Sequence, residues 1–112
     1  MLDKKNINRG NPQNNERHWF VYIILGTDGN YYTGITTNVI RRWNEHSGNL
    51  GKKTGAKYFR GRKPHKLVYV EGNHNRSSAS KREIQIKKQT KIQKMELVMA
   101  VTNIADSFIV AP

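Results

Sequence analysis

Glu83 is the carboxylate whose position asks for an explanation. On a helix of 3.6-residue period it shares one face with Ala79, Ile86 and Thr90. A carboxylate on an inward face is costly unless it is paired or holds a cation. Ser80-Lys81-Arg82-Glu83 also fits a capping box, in which Glu83 would close the first turn of a helix starting at Lys81. Position alone leaves both readings standing. The other carboxylates are Asp3, Glu16, Asp28, Glu45, Glu71, Glu96 and Asp106. Asp3 and Glu16 fall in a polar tail, Asp28 in a turn, Asp106 near the C-terminus, and Glu45 on the basic side of a helix near Arg41. No pair has the spacing that holds two cations about 4 Å apart. Chemistry on phosphate would therefore use at most one metal here.

Arg42 and His46 are the next candidates, one helical turn apart along the edge of an apolar stripe. An arginine offers a fixed, always-charged fork to an oxyanion, and a histidine titrates near neutrality. A solvated helix edge has the same composition. Tyr22, Tyr31, Tyr32, Tyr58 and Tyr69 read singly as strand or core aromatics. Gly34 inside a strand signals a bulge or a close backbone approach. Between Asn49 and Lys66 there are seven basic residues and no acid: Lys52, Lys53, Lys57, Arg60, Arg62, Lys63 and Lys66. Tyr58 and Phe59 interrupt that run.

The elements that must hold these residues follow from pattern. Trp19 to Leu25 is aromatic and β-branched, hence a strand buried on both faces. Gly26 to Asn30 is turn chemistry, and Tyr31 to Ile35 is a second strand, giving an antiparallel hairpin. Thr36, Thr37 or Asn38 caps a helix running to about Ser47, ended by Gly48, with Val39, Ile40 and Trp43 as its apolar stripe. The glycines of 48–61 and Pro64 predict a loop as far as Lys66, and Leu67 to Val70 a third strand. Ser77 or Ser78 opens a second helix ending near Lys88. Thr90 and Gln93 form a capping-box pattern for a third, Lys91 to about Ala100. The predicted order is β-β-α-β-α-α: an α/β domain over 18–100 with a three-stranded antiparallel sheet flanked by helices. Residues 1–17 read as a mobile polar tail, and 101–112 as a C-terminal tail apolar enough to dock.

Composition names the partner class. Twenty Lys and Arg face eight Asp and Glu, a formal net charge of +12. Self-repulsion of that size opposes compaction, and a polyanion relieves it by counterion release. A membrane surface would want a basic amphipathic helix with exposed Trp or Phe, or a lipidation signal, and neither is present. The chain has no cysteine, which excludes disulfides, thiolate metal sites and a cysteine nucleophile. The longest apolar run is far short of the ~20 residues that span a bilayer. No apolar stretch marks a secretory signal before His18, so a cytoplasmic setting is expected.

The joint pattern is more specific than any of its parts. Phe20-Val21-Tyr22 and Tyr32-Thr33-Gly34 are followed by Arg42-Trp43 with His46, and later by Glu83. This resembles the GIY-YIG nuclease superfamily. Tyr32-Thr33-Gly34-Ile35-Thr36-Thr37, the Arg41-Arg42 pair, and Gly55-Ala56-Lys57-Tyr58 with Gly61-Arg62 resemble its short, single-domain bacterial branch. That branch is similar to the nuclease domain of structure-specific repair endonucleases. The resemblance spans about Trp19 to Val98 and departs at Phe20, where the triplet has a glycine. It implies that Glu83 is the single ligand of one Mg²⁺ or Mn²⁺ at the scissile phosphate, and that Arg42 stabilises transition-state charge. It implies that Tyr22 deprotonates or orients the attacking water with Tyr32 and His46 in support, the base being open between Tyr22 and His46. Gly34 would let the backbone approach the site. Lys52, Lys53, Lys57, Arg60, Arg62 and Lys63 would track the phosphates, and Tyr58 would stack on a base.

The expected activity is metal-dependent hydrolysis of DNA phosphodiesters, at branched or single-stranded structures in repair or processing. The alternative is a basic DNA- or RNA-binding module on the same fold that does not cut. A third reading is an accessory subunit whose apolar C-terminal tail docks a partner protein.

Overall fold

The computed structural model describes residues 17–47, 63–108 and 110. Two strands, β1 (Trp19–Gly26) and β2 (Tyr31–Thr36), lead into helix α1 (Val39–His46). Strand β3 (Pro64–His74), helices α2 (Arg76–Lys87) and α3 (Lys91–Met99), and a 3₁₀ turn at Ala105–Ser107 follow. This is the predicted β-β-α-β-α-α order. The sheet order is β2-β1-β3, antiparallel throughout, so the most apolar strand is the central one.

β1 divides the core in two. Tyr22 and Ile24 face α1, packing with Val39, Trp43, Leu67 and Val70. Val21 and Ile23 face the opposite side, packing with Tyr69 and with Ala79 and Ile86 of α2. Period-2 alternation sends successive side chains to opposite layers, and both layers are covered, so the strand carries no polar face. The hairpin closes through Gly26 N–H to Asn30 O at 2.9 Å, with Asp28 Oδ1 accepting from Asn30 N at 3.0 Å. Gly29 sits at φ +83°, a conformation side chains resist.

Several expectations need correction. β3 starts at Pro64 and continues to His74, well beyond Leu67 to Val70. Its flanks are polar and escape a hydrophobicity pattern, yet the register against Trp19 to Gly26 extends over them. Pro64 is tolerated because it begins an edge strand. Ile40 is exposed, and the third buried residue of α1 is His46. Helix α2 begins at Arg76, not at Ser77, Ser78 or Lys81. Asn75 is its cap, accepting from Ser78 N at 2.8 Å, while Ser78 Oγ accepts from Asn75 N at 3.1 Å. Glu83 therefore lies mid-helix and caps nothing. Thr90 is not on its face either, because it is the exposed cap of α3, accepting from Gln93 N at 3.1 Å. Gly48 and residues 1–16 of the N-terminal tail lie outside the described residues.

After α3 the chain returns along the outer edge of β3. Asn103 accepts from Val70 N at 3.1 Å and Ala105 N at 2.9 Å, and donates to Val68 O at 2.8 Å and Val98 O at 2.9 Å. All four hydrogen-bonding sites of its amide are used. Ile104 N donates to Val70 O at 3.1 Å. The segment thus covers part of a sheet edge that would otherwise be open. Ala105 is buried, and Phe108 meets Phe20 edge-on at 5.7 Å between ring centres.

Candidate active site

Tyr22, Arg42 and His46 come together on the α1 side of the sheet. Asn38 caps α1 by accepting from Arg41 N at 2.9 Å, and Trp43 anchors the helix in the core. That placement sets His46 inward at the end of the helix, 6 % exposed. Its Nε2 lies 2.8 Å from the hydroxyl of Tyr22, itself 3 % exposed. The Arg42 guanidinium acts on the same hydroxyl, lowering the pKa of the phenol.

Gly34 makes this packing possible. It is directly across from Tyr22 in the β1–β2 ladder. A Cβ there would sit 2.6 Å from Tyr22 Cζ and 3.0 Å from its Cε2. The absent side chain gives the phenol its room, so the close approach inferred for Gly34 is to Tyr22.

The electrostatics assign protons. Burial, reinforced by the charge of Arg42, pushes the His46 imidazole down to about 4, so the ring is neutral at physiological pH. Burial also raises the Tyr22 phenol; Arg42 opposes that rise, and the carboxylates Glu83 and Glu45 add to it. Tyr22 therefore keeps its proton. With the imidazole proton on Nδ1, Nε2 is free to accept the phenol proton.

Glu83 lies on the inward face of α2 between the buried Ala79 and Ile86, its side chain 22 % exposed. Lys87 Nζ is 3.3 Å from its Oε2. The charge of Glu83 helps raise the Tyr22 phenol. Among the described residues no three His, Asp or Glu side chains gather to hold a metal ion. A single part-buried carboxylate fits a hard cation that keeps most of its waters and takes further oxygens from a bound substrate.

The other predicted residues divide. Tyr32 shares the face of Tyr22, but its hydroxyl donates to Asp28 Oδ2 in the hairpin turn. Lys63 precedes β3, its carbonyl accepting from Thr27 N at 2.9 Å. Lys52, Lys53, Lys57, Tyr58, Arg60 and Arg62 lie outside the described residues.

Two features escaped sequence reasoning. Glu45 Oε1 is 2.6 Å from Arg42 Nη1 and its Oε2 is 3.8 Å from Arg41 Nε. Helical spacing allowed both contacts, and only the coordinates show Arg42 as the nearer partner. On β3 and α2, Glu71 accepts from Tyr69 at 2.5 Å, contacts His74 Nε2 at 2.6 Å, and receives Arg82 Nε on both oxygens at 3.1 Å. Tyr69, Glu71 and His74 are close together on β3 and Arg82 comes from α2, but no pattern announced the cluster.

The family model described as the GIY-YIG catalytic domain matches residues 18–96. A UPF0213 protein of Desulfotalea psychrophila is 47% identical over 89 residues, covering 80% of this chain and 78% of its own. One from Halobacterium salinarum is 48% identical over 77 residues, covering 69% of this chain and 95% of its own. The solution NMR structure of the UPF0213 protein BH0048 from Bacillus halodurans is 36% identical, with a TM-score of 0.46, over 75% of this chain and 85% of that one. The match to residues 18–96 takes in β1, β2, α1, β3 and α2 whole, with every residue of the Tyr22 site, and the chain belongs to the GIY-YIG family.

Proposed function

We propose that this is a nucleic-acid-binding domain that hydrolyses DNA phosphodiesters at the Tyr22–Arg42–His46–Glu83 site with one hard cation. The observation that carries the reading is the phenol of Tyr22, clamped between a neutral imidazole and a guanidinium, with a carboxylate's charge at its back. A surface that only binds phosphate needs exposed Lys and Arg. It has no use for a buried Tyr–His pair, which costs desolvation.

In this reading Arg42 takes a non-bridging phosphate oxygen and stabilises the charge that builds on phosphorus substituents. Glu83 would hold Mg²⁺ or Mn²⁺, which supplies Lewis acidity at the scissile phosphate. Tyr22 accepts a proton from the attacking water as it passes its own to His46 Nε2. Phosphate binding favours that transfer: Arg42 depresses the basicity of His46, and an anion paired with Arg42 offsets its charge. The base is then the Tyr22–His46 pair. The basic residues Lys52, Lys53, Lys57, Arg60, Arg62 and Lys63 would contact the phosphates, and Tyr58 would stack on a base.

A second reading is a binding module on the same fold that does not cut. It is favoured by the pairing of Glu83 with Lys87 and by the absence, among the described residues, of any group of three or more His, Asp or Glu side chains that could hold a metal ion. One assay separates the two. Single-stranded, duplex, flap and four-way DNA are incubated with Mg²⁺ or Mn²⁺ and the parent, Glu83→Ala or Arg42→Ala protein. Metal-dependent cutting lost in both variants supports hydrolysis. Salt-sensitive binding by the parent with no cutting of any form supports the module.

A further inference from the structure

We infer that Glu45 is an internal stand-in for the substrate phosphate, occupying the Arg42 fork until DNA displaces it. The inference rests on reading Arg42 as the phosphate ligand. Glu45 stands in the last turn of α1, where the exposed carbonyl dipoles disfavour a carboxylate. It is held there by two arginines, with Arg42 Nη1 at 2.6 Å and Arg41 Nε at 3.8 Å. Its side chain is 18 % exposed and that of Arg42 is 29 %, so the pair is shielded from solvent without being sealed from it. A carboxylate presents two oxygens to a guanidinium in the way a phosphate presents two non-bridging oxygens. The two compete for the same donors, and Glu45 is tethered three residues away.

The arrangement also raises selectivity. A lone phosphate must displace a tethered competitor, whereas a polyanion brings the additional contacts of the basic residues and the counterions they release. Arg42 still acts on the Tyr22 phenol while Glu45 holds it, so the fork stays at the site while it is occupied.

The test is fluorescence anisotropy of labelled single-stranded and duplex DNA with EDTA present, so that binding is read without cleavage. Glu45→Gln weakens the competitor and Glu45→Ala removes it. Glu96→Gln, at an exposed position of α3, makes the same charge change away from the site. Glu45→Ala is expected to bind DNA about fivefold tighter, the upper range for loss of one such ion pair, with Glu45→Gln between it and the parent. Glu96→Gln should change affinity less than about twofold, as a distant screened charge does. In an Arg42→Gln background the gain from Glu45→Ala should vanish. A gain that survives in that background, or equals that of Glu96→Gln, would show plain charge removal and overturn the inference. Weaker binding by Glu45→Ala would also overturn it, because Glu45 would then be organising Arg42 for DNA. If Arg42→Gln alone leaves affinity unchanged, the reading of Arg42 as phosphate ligand fails, which is a separate result from failure of the Glu45 inference. Circular dichroism melts confirm that each variant is folded.

Discussion

Replacing Gly34 by alanine should dismantle the site without touching any ionisable group. The new Cβ would lie 2.6 Å from Tyr22 Cζ and 3.0 Å from Cε2. Carbon atoms in contact prefer about 3.5–4.0 Å, so the ring must retreat by roughly 1 Å. Tyr22 is buried in the core layer with Val39, Trp43 and Val70, so its ring moves only by displacing packed neighbours. A shift of that size would stretch the 2.8 Å contact with His46 Nε2 past hydrogen-bonding range. Overpacking costs about 1–3 kcal/mol, and the lost buried hydrogen bond adds about 1 kcal/mol. The expected loss is therefore about 2–4 kcal/mol, read as a lower midpoint in urea denaturation. In a domain of this size that corresponds to a fall in Tm of roughly 10–20 °C. Any DNA cleavage by the parent should fall about 100-fold in Gly34→Ala at a temperature where it remains folded, the order expected for a 1 Å misplacement. An alanine variant within about 0.5 kcal/mol of the parent, the range of a neutral surface change, would refute the reasoning. Gly34 would then be merely tolerated beside Tyr22.

Three further outcomes follow from the same coordinates. His46 is neutral when folded, its pKa near 4 against 6.5 when exposed, so the unfolded chain binds more protons between those values. Its contribution to stability is full above about pH 6.5 and is lost as pH falls toward 4, a change of about 3 kcal/mol that His46→Gln should flatten in denaturation curves against pH. Asn103→Ala removes all four amide contacts around the β3 edge and should cost about 2–4 kcal/mol. Asn103→Asp should restore little, because a carboxylate cannot donate to the Val68 and Val98 carbonyls, and chemical denaturation of the two variants checks this. The Tyr69 phenol is pushed up to about 12, by burial first and then by Glu71; Glu71→Gln should lower it toward 10, read by ultraviolet pH titration of tyrosinate.

Much of the fold was legible because its signals are local. The hairpin is announced by β-branched and aromatic runs on either side of Asp28-Gly29, and α3 by Thr90 and Gln93 three residues apart. The length of β3 was not legible, because Glu71 to His74 carry no apolar alternation and are strand only by pairing with β1. The start of α2 was misjudged because its capping box uses Ser78 where Glu or Gln is usual, and Ser80-Lys81-Arg82-Glu83 imitated the commoner form. Ile40 belongs to the apolar stripe by type, yet the sheet meets α1 on the side of His46.

The candidate site shows the same division. By itself the sequence determined which residue types are present, the charge of +12, the absence of cysteine, and the spacing that sets Arg42 and His46 one turn apart. It also set Glu83 on the face of Ala79 and Ile86. Only the tertiary structure decided that the Tyr22 phenol meets His46 across the space left by Gly34, that Tyr32 turns to Asp28, and that Glu45 holds Arg42. The physical reason is range. Helical and strand periods act over a few residues and fix which face a side chain takes. The partner it finds on that face depends on which element packs there, a choice made by the burial of the whole core.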